Sequence, residues 1–569
     1  NRNIERGTDN QRFNLAADAI VDLAGVVNGR PGEVVCRSRL IQAQGGAPTD
    51  NFFGGLLSAT PEGRAALAAC TPLNVFGKGN QSQAALNYVD ASITVSHVNQ
   101  QEQGIASVSG QLWDFFGAGA IGVAVGAEYR RESTEGIGRS AGTGNRSLFL
   151  NTGADFALAE YESEEAFAEL SLPLFRDSWL GEYAELSGSY RYFDYTTAGS
   201  GDVYGVNLVY RPIQDITFKT SFNTSFRAPN LSENFRPFSQ TFANGFVDPC
   251  ATLQIAAQTA QIRTNRIANC TALAASLGFT GPTGFDFAGA TVTNADDFNP
   301  NYTSGIAGVT GGNPTLVPET SESFTFSTVL QPRFIPNFSL VLDYYEIQIT
   351  DVIASVGAQQ LHNNCVSGPT LNANACATLV RLNPTIPFGF GNVATSPTGA
   401  FIQGSVNYAS LQTRGLDFTA TYSLDLEEVL GRSWGSLNYR IGGLWLIEQK
   451  QFLNAANPAD FAELASGVFF PRVRFTSSLT YVPNDTWSVN WSVDWQTAQN
   501  SVFRRDLVAL GNLDARPNST YNTGDFARHD FTIRYNASDD LSVRFGVVNA
   551  FDAEPAEYLG TATTSNFDP

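Results

Sequence analysis

Strict alternation of apolar and polar side chains is the feature that most constrains how this chain folds. In residues 487–496 every second side chain is Trp or Val, and Ser, Asn, Asp or Gln stands between them. A period of two places successive side chains on opposite faces of a β-strand. The same pattern recurs in four other stretches: 184–192, 216–226, 472–481 and 541–547. The sequence therefore predicts an all-β protein.

Alternation fits two kinds of β protein. In a soluble sandwich the apolar face packs inward, whereas in a membrane β-barrel the apolar face meets lipid and the polar face lines the interior. Large aromatics on the apolar faces, such as Trp487, Trp491 and Trp495, favour the barrel. Strands of about 10–15 residues, against a usual length of about five or six, also favour it. Charged residues make up 15% of the chain, against about 25% in soluble proteins.

The connections between strands alternate between short turns and mostly long loops. This is the construction of bacterial outer-membrane barrels, which have short turns at one end and long extracellular loops at the other. We predict fourteen antiparallel transmembrane strands, the first near 92–116 and the last near 541–551, in a single incomplete barrel domain over residues 1–569. The long loops are expected near 1–91, 131–161, 229–318, 351–406, 451–470 and 501–525.

Six cysteines lie in loop-like segments rich in Gly, Asn, Pro and Thr. An even number of cysteines in loops is typical of an oxidising compartment. The alternative, a metal site, is disfavoured because the sequence contains no CxxC spacing and only His362 lies near any cysteine. We therefore predict disulfides between sequence neighbours, although fifteen connectivities are possible in principle. The predicted pairs are Cys36–Cys70, Cys250–Cys270 and Cys365–Cys376.

The formal net charge of −20 argues against a nucleic-acid partner. An acidic protein repels the phosphate backbone on which such binding depends. The sequence also contains no Met. We therefore expect that Asn1 is not a translation start and that the targeting signal cannot be read from this sequence.

Six segments, in order along the chain, resemble signature segments of the TonB-dependent outer-membrane receptors. Residues 226–235 are similar to the family's FRAPN-x-x-E-x-F segment, and residues 313–321 to its NPxLxPETS segment. The other four matches are 70–77 (CxPLNxFG), 338–347 (the SVDYY strand), 414–417 (T-x-G-[IVL]-D) and 548–552 (VNNLFD). The matches together run from about residue 70 to about residue 555.

The resemblance implies a 22-stranded barrel whose lumen is closed by a plug. The family's N-terminal plug, its TonB box and its final strand have no counterpart among these segments. The fourteen strands would then correspond to strands eight to twenty-one, and open sheet edges are not tolerated in lipid. We expect the remaining strands to come from the same gene or from a second polypeptide. The implied partners are outer-membrane lipid, a small nutrient ligand, and the TonB energy-coupling complex acting through a plug that is not in this chain.

No catalytic motif is recognisable in the sequence. The three histidines, His97, His362 and His529, are far apart, and no HExxH, P-loop, nucleophile elbow or CxxC is present. We therefore predict no enzymatic activity, no metal site and no cofactor. Haem is disfavoured because residues 229–313 contain no His; an axial ligand there could be a tyrosine, for instance Tyr302.

The longest loop, near 229–318, carries two other features with open alternatives. Asp296 and Asp297 offer oxygen ligands to Ca²⁺, but the spacing of a Ca²⁺ loop is missing and a solvated acidic loop is favoured. Phenylalanines recur through the loop, where they either stack on a sugar or catechol ligand or pack the loop on itself. These are Phe235, Phe238, Phe242 and Phe246.

Arg227 continues the polar phase of its strand after Ser225, and Arg236 follows a few residues later. Arg227 is therefore expected to face the lumen near the outer rim. Both arginines could bind an anionic substrate. The alternative is pairing with carboxylates that stiffens the barrel. We predict Arg227, Arg236, Phe238 and Phe242 as substrate-binding residues.

The predicted function is TonB-dependent uptake of a scarce nutrient across the bacterial outer membrane, with siderophore, oligosaccharide, cobalamin and peptide all open as substrates. The first alternative is a passive porin, which has the same kind of membrane barrel but no energy coupling. The second is a surface adhesion or assembly scaffold that uses the long loops as a binding face.

Overall fold

The computed structural model describes residues 2–49, 56–59, 61–115, 117–138, 154–279, 287, 298–302, 305–381, 388–390, 399–452, 461–501, 503 and 521–554. Its helices are α1 (Asn10–Ala17), α2 (Arg37–Ala43), α3 (Pro61–Ala69), α4 (Gln83–Val89), α5 (Leu231–Phe235), α6 (Thr252–Ala256), α7 (Ala260–Ser276), α8 (Ala358–Ser367), α9 (Ala373–Ala377) and α10 (Leu426–Leu430). Leu57–Ala59 form one 3-10 turn. Within the described residues, every helix is too short or too polar to cross a membrane.

The strands in chain order are β1 (Arg2–Thr8), β2 (Ala19–Asp22), β3 (Glu33–Cys36), β4 (Asp90–Gln111), β5 (Gly122–Ile137), β6 (Phe156–Ser178), β7 (Gly181–Tyr195), β8 (Gly199–Ile213), β9 (Ile216–Arg227), β10 (Ser239–Ala243), β11 (Ile306–Gly311), β12 (Glu319–Leu330), β13 (Phe338–Ser355), β14 (Ile402–Asp425), β15 (Ser436–Phe452), β16 (Phe461–Glu463), β17 (Val473–Asn484), β18 (Trp487–Gln496), β19 (Phe526–Ser538) and β20 (Leu541–Val547).

The described residues form one large sheet of eighteen strands, which confirms the predicted all-β fold, and fourteen of these strands make up its antiparallel wall. They are β4–β9, β12–β15 and β17–β20. Strands β9 and β12 pair directly, from Arg227 opposite Glu319 to Ile216 opposite Leu330, so the long loop between them leaves the sheet and returns to the adjacent position. Strands β6 and β14 have 23 and 24 residues, more than the predicted length of about 10–15. Strand β4 has 22 residues and ends at Gln111, before the predicted end near residue 116.

The sheet exposes its apolar face, as a wall in lipid requires. In β18 the outward Trp487, Val489 and Trp491 are 43%, 37% and 40% exposed. The polar side chains between them face inward and bond to one another: the Asn490 amide donates to Ser478 Oγ and Thr480 Oγ1, both at 2.8 Å. Solvent-facing apolar side chains combined with a hydrogen-bonded polar interior are the reverse of a soluble sandwich.

The outward face changes from apolar to acidic at one level near the loop ends of the strands. Tyr129 of β5 lies opposite Glu164 of β6, which lies opposite Asp194 of β7. We call this level the acidic rim. It consists of the exposed outward side chains Glu102, Glu164, Asp194, Asp202 and Glu322. Charges are costly in hydrocarbon and tolerated at its interfaces, so the acidic rim marks the upper boundary of the lipid.

Two loops are shorter than predicted because strands continue above the acidic rim. The loop expected at 131–161 is reduced at both ends, since β5 runs to Ile137 and β6 begins at Phe156. The loop expected at 351–406 is reduced likewise by β13 and β14. Above the lipid both faces of a strand meet water, so the alternation that reveals strands lower down is lost.

The segment expected as a long loop at 1–91 is folded. Strand β1 pairs with the start of β4, from Arg2 opposite Ser96 to Thr8 opposite Asp90. Helices α1 and α4 begin at capping side chains, because Asp9 accepts from Arg12 N at 3.0 Å and Ser82 from Ala85 N at 3.1 Å. A small apolar cluster surrounds the Cys36–Cys70 disulfide and includes Leu15, Leu57, Leu67 and Tyr88.

The two longest loops pack against each other. We define the loop module as residues 246–279, 298–302, 356–381 and 388–390; it contains α6–α9. Its core brings together Cys250, Cys270 and Cys365, all fully buried, and aromatic residues such as Phe388. All three predicted disulfides are confirmed: Cys36–Cys70, Cys250–Cys270 and Cys365–Cys376. The β10–β11 pair ties the loops to the sheet, since β11 runs parallel to the first residues of β14.

Candidate ligand site at the loop end

The chain that leaves β9 turns into α5 through a capping box. The Asn230 side chain accepts from Glu233 N, and the Glu233 carboxylate accepts from Asn230 N, both at 2.8 Å. Both exposed backbone donors at the helix start are thereby satisfied. The box fixes α5 directly above the loop end of β9.

Arg227 is held between two carboxylates. Its Nε and Nη2 donate to Glu319 at 2.8 Å, and its Nη1 donates to Glu233 at 3.0 Å. Glu319 also accepts from the backbone of Ile353 at 2.7 Å. The hydrogen bonds from Arg227 lower the pKa of Glu319 below its ordinary value. This geometry is that of the carboxylate-pairing alternative, and a role for Arg227 in substrate binding stays a prediction.

A cavity of about 740 Å³ lies between α5 and the loop ends of β4 and β5. The sheet contributes polar side chains to it, including Asn99, Gln101, Glu132 and Thr134. The loop contributes Asn230, Leu231, Ser232, Arg236, Pro237 and Ser239. The cavity is therefore a recess at the mouth of the sheet, with one wall on rigid strands and one on the loop; most of its side chains are polar, and Phe156, Leu231 and Pro237 add apolar surface.

Arg236 is the predicted substrate-binding residue that lines this cavity. It lies at the C-terminal end of α5 and is exposed. In contrast to Arg227, its guanidinium forms no ion pair with any residue that the structure describes. The two predicted arginines therefore differ: the charge of Arg227 is compensated by protein, and that of Arg236 is available in the cavity.

The predicted aromatic residues lie outside this cavity. Phe238 and Phe242 are 50% and 44% exposed and are missing from its described lining. The Phe238 ring covers Gly311, where an added Cβ would lie 2.3 Å from it. Phe246, by contrast, is only 4% exposed and packs against Phe390 in the loop module, with ring centroids 5.1 Å apart. Phe246 therefore packs the loop on itself, whereas the rings of Phe238 and Phe242 are partly exposed to solvent.

The three histidines lie in separate environments. His97 lines the cavity, and His529 stacks on the outward Trp491 with ring centroids 5.9 Å apart. His362 is fully buried in the loop module, where burial lowers its pKa to about 3. Tyr302 is engaged as well, since its hydroxyl accepts from Phe390 N at 3.1 Å.

The described part of the chain contains no group of three or more His, Cys, Asp or Glu residues arranged to hold a metal ion. Asp296 and Asp297, considered above for Ca²⁺, lie outside the described residues.

Sequence reasoning missed two parts of this region. The inward polar residues of β4, Asn99 and Gln101, line the cavity; their regular spacing was a usable signal, because alternate positions share one face. The buried pair between Asp248 and Arg381 joins the two long loops. It leaves no local signal, because each residue is a single charge in a nearly uncharged segment.

One protein family matches most of the chain. The family described as "TonB dependent receptor-like, beta-barrel" matches residues 49–550. None of the curated protein sequences matches this chain.

Several solved structures are similar to the chain. The siderophore receptor PirA from Acinetobacter baumannii is 16% identical, with 86% of this chain and 57% of that one covered and a TM-score of 0.49. A mutant of the ferric enterobactin receptor PfeA from Pseudomonas aeruginosa is 13% identical, with 84% of this chain and 50% of that one covered and a TM-score of 0.48. The copper transporter OprC is 12% identical, with 82% of this chain and 52% of that one covered and a TM-score of 0.42. The chain thus spans only about half the length of these proteins. On the family match over residues 49–550, the chain belongs to the TonB-dependent receptor β-barrels of the bacterial outer membrane.

Proposed function

We propose that this chain forms most of the wall and the ligand-capturing loops of a receptor that takes up a scarce nutrient across the outer membrane. A ligand binds at the loop end, and energy supplied through TonB moves it into the lumen. The observation that carries the proposal is the polar cavity at the loop end, open to the outside and lined by the free Arg236. A cavity that joins sheet and loop can hold a ligand until the barrel interior opens.

The ligand contacts we propose are Arg236 in the cavity and the exposed rings of Phe238 and Phe242 beside it. Arg227 contributes indirectly, because its two carboxylate partners hold α5 in place. Siderophores and oligosaccharides remain the substrate candidates for the receptor as a whole.

We further propose that a plug and additional strands complete the receptor, from the same polypeptide or from a second one. Two features support this. The solved relatives are about twice as long as the matched part of this chain, and every side chain of β20 and of residues 99–111 in β4 is exposed, as at a sheet edge. Intact-mass measurement and N-terminal sequencing of the assembly purified from outer membranes test it; a mass equal to this chain alone would contradict it.

Growth and uptake measurements test the transport proposal. Deleting the gene should abolish growth on one limiting nutrient, and a protonophore should stop uptake of that nutrient into intact cells. Uptake that persists without proton-motive force would indicate a passive porin. Normal growth combined with lost surface attachment would indicate an adhesion or assembly scaffold.

A further inference from the structure

We propose that the cavity beneath α5 binds a hydroxylated monoanion with the chemistry of a sugar acid, and that Arg236 pairs with its carboxylate. The proposal rests on the uptake function above and names the substrate class for the same site. It follows from two properties of the cavity: its unpaired cation and its neutral hydrogen-bonding groups.

The described lining holds one carboxylate, Glu132, and one arginine, Arg236. Glu132 lies 4.0 Å from Arg130, which is outside the lining, so a cation already stands beside this carboxylate. Arg236 has no carboxylate partner among the described residues, whereas the nearby Arg227 has two. A guanidinium fork matches a carboxylate in geometry and charge. One unpaired arginine therefore calls for a ligand with a single negative charge.

The rest of the lining suits hydroxyl groups. The Asn99 side chain uses its oxygen to accept from Thr134 at 2.7 Å, which leaves its two amide hydrogens available within the described structure. Gln101 uses its amide to donate to Gln103 at 3.3 Å, which leaves its oxygen available. On the loop wall, Ser232 and Ser239 add two hydroxyls. Each ligand hydroxyl both donates and accepts, so this mixture of donors and acceptors fits a polyol.

The lining also carries apolar surface. Its apolar side chains are Ala154, Phe156, Leu231 and Pro237, so an aromatic ring lies beside the polar groups. The exposed rings of Phe238 and Phe242 lie outside the described lining. The volume of about 740 Å³ falls within the range of small-molecule pockets, roughly 300–1,000 Å³. A ligand of one or two sugar rings matches that space.

The test is equilibrium binding to the receptor purified intact from outer membranes in detergent, with galacturonate, galactose and galactose 1-phosphate as probes. We expect galacturonate to bind at least about 10-fold more tightly than galactose, since its carboxylate adds a charge-assisted hydrogen bond with the guanidinium of Arg236. Arg236→Gln should remove this preference and leave galactose binding unchanged. Arg236→Lys should keep part of it. Arg333→Gln, an exposed arginine paired with Asp215 in a short turn at the opposite end, is the matched control and should behave like the wild type.

Three results would overturn the proposal: equal affinity for galactose and galacturonate, tighter binding of the sugar phosphate, or galacturonate binding that survives Arg236→Gln. Non-reducing peptide mapping of each variant, with all three disulfides present, establishes that the loops are folded. The uptake function is separable from this result. Energy-dependent uptake of a different nutrient with no sugar-acid binding would refute only the substrate class, and sugar-acid binding with protonophore-insensitive uptake would refute only the transport mechanism.

Discussion

Arg381 and Asp248 lie 133 residues apart in the sequence and form a bidentate ion pair in the loop module, with Nη1–Oδ2 and Nη2–Oδ1 distances of 2.9 and 2.8 Å. Their side chains are only 3% and 0% exposed. The rings of Phe388 and Phe390 flank the guanidinium, with centroids 4.2 and 4.0 Å from Cζ. Asp248 also accepts from Cys250 N at 2.9 Å. This desolvated ion pair is thus one of the contacts that join the two long loops.

Asp248→Ala should destabilise the loop module by about 3–5 kcal/mol, because it leaves the Arg381 charge buried without a partner. Hydrogen-exchange mass spectrometry should show faster exchange in α7 and α8 and unchanged exchange in β17 and β18. Asp215→Ala, which breaks the exposed pair with Arg333, is the control and should cost at most about 1 kcal/mol. Unchanged exchange in both helices of the Asp248→Ala variant would contradict the assigned role of the pair.

The ion pair of Glu319 with Arg227 should weaken only in acid. Because the pKa of Glu319 is lowered below its ordinary value of 4.5, the pair stabilises the folded loop end above pH 4.5, and this contribution is lost as the pH falls through the folded-state pKa. The amide of Ile353 donates to Glu319 at 2.7 Å. The hydrogen-exchange rate of this amide therefore reports whether Glu319 is held in place. At pH 7 Glu319→Gln should exchange this amide faster than wild type, and the difference should shrink as the pH falls below 4.5. Glu322→Gln, on the acidic rim, should match wild type throughout the titration.

His362 should make the loop module less stable in mild acid. It is buried between Phe246 and Phe390, each with its ring centroid 4.4 Å away, and burial lowers its pKa from 6.5 to about 3. Below pH 6.5 the His362 side chain takes up a proton in the unfolded module but not in the folded one. The free energy of unfolding of the module is therefore highest above pH 6.5 and decreases as the pH falls toward 3. The measurement is the ratio of α8 amide exchange rates in His362→Leu to those in wild type. This ratio should be lower at pH 5 than at pH 7.5. An identical ratio at both pH values would refute this.

Removing the Cys36–Cys70 disulfide should loosen the N-terminal segment and leave the sheet intact. Its sequence separation is 34, against 11 for Cys365–Cys376. Loop-closure entropy then predicts a loss of about 4 kcal/mol for the first and about 3 for the second. Limited proteolysis of the double serine variants should cut within residues 9–89 in one case and within the loop module in the other. Cleavage inside β4–β9 in either variant would argue against local stabilisation.

Val489→Arg and Asn490→Arg should differ sharply although they are neighbours. Val489 faces outward, and an arginine there should cost about 2–4 kcal/mol near the bilayer midplane. Asn490 faces the polar interior, where an added charge meets water and should cost much less. Urea-dependent folding into lipid vesicles measures both. Spin labels provide an independent check: one at Trp491 should be quenched by lipid-soluble oxygen, and one at Asn490 by a water-soluble reagent.

The sequence pattern predicted which side chains face lipid and which face the polar interior. In β18, lipid selects Trp491 on one face and the polar interior selects Asn490 on the other, so a one-residue shift would reverse every side chain. The same phase in β9 places Arg227 on the face of Ser225, and its lumenal direction stays a prediction. Disulfide partners were also predictable, because each pair closes a local loop.

The partners of these residues were not predictable from local pattern. Glu319 lies 92 residues after Arg227 and reaches it only through the β9–β12 register. Arg381 meets Asp248 only because two loops fold together. The cavity depends on the same long-range placement, since Arg236 and Gln101 come from separate elements.

The acidic rim also sets how far the loop end stands from the membrane. Above Glu102, β4 continues from Gln101 up to Asp90. At about 3.3 Å per residue and a tilt of about 40°, that length corresponds to a rise of roughly 30 Å. An antibody or a phage fibre that grips the top of this wall therefore touches protein well before it touches lipid, and antibodies raised against whole cells should recognise this protruding collar.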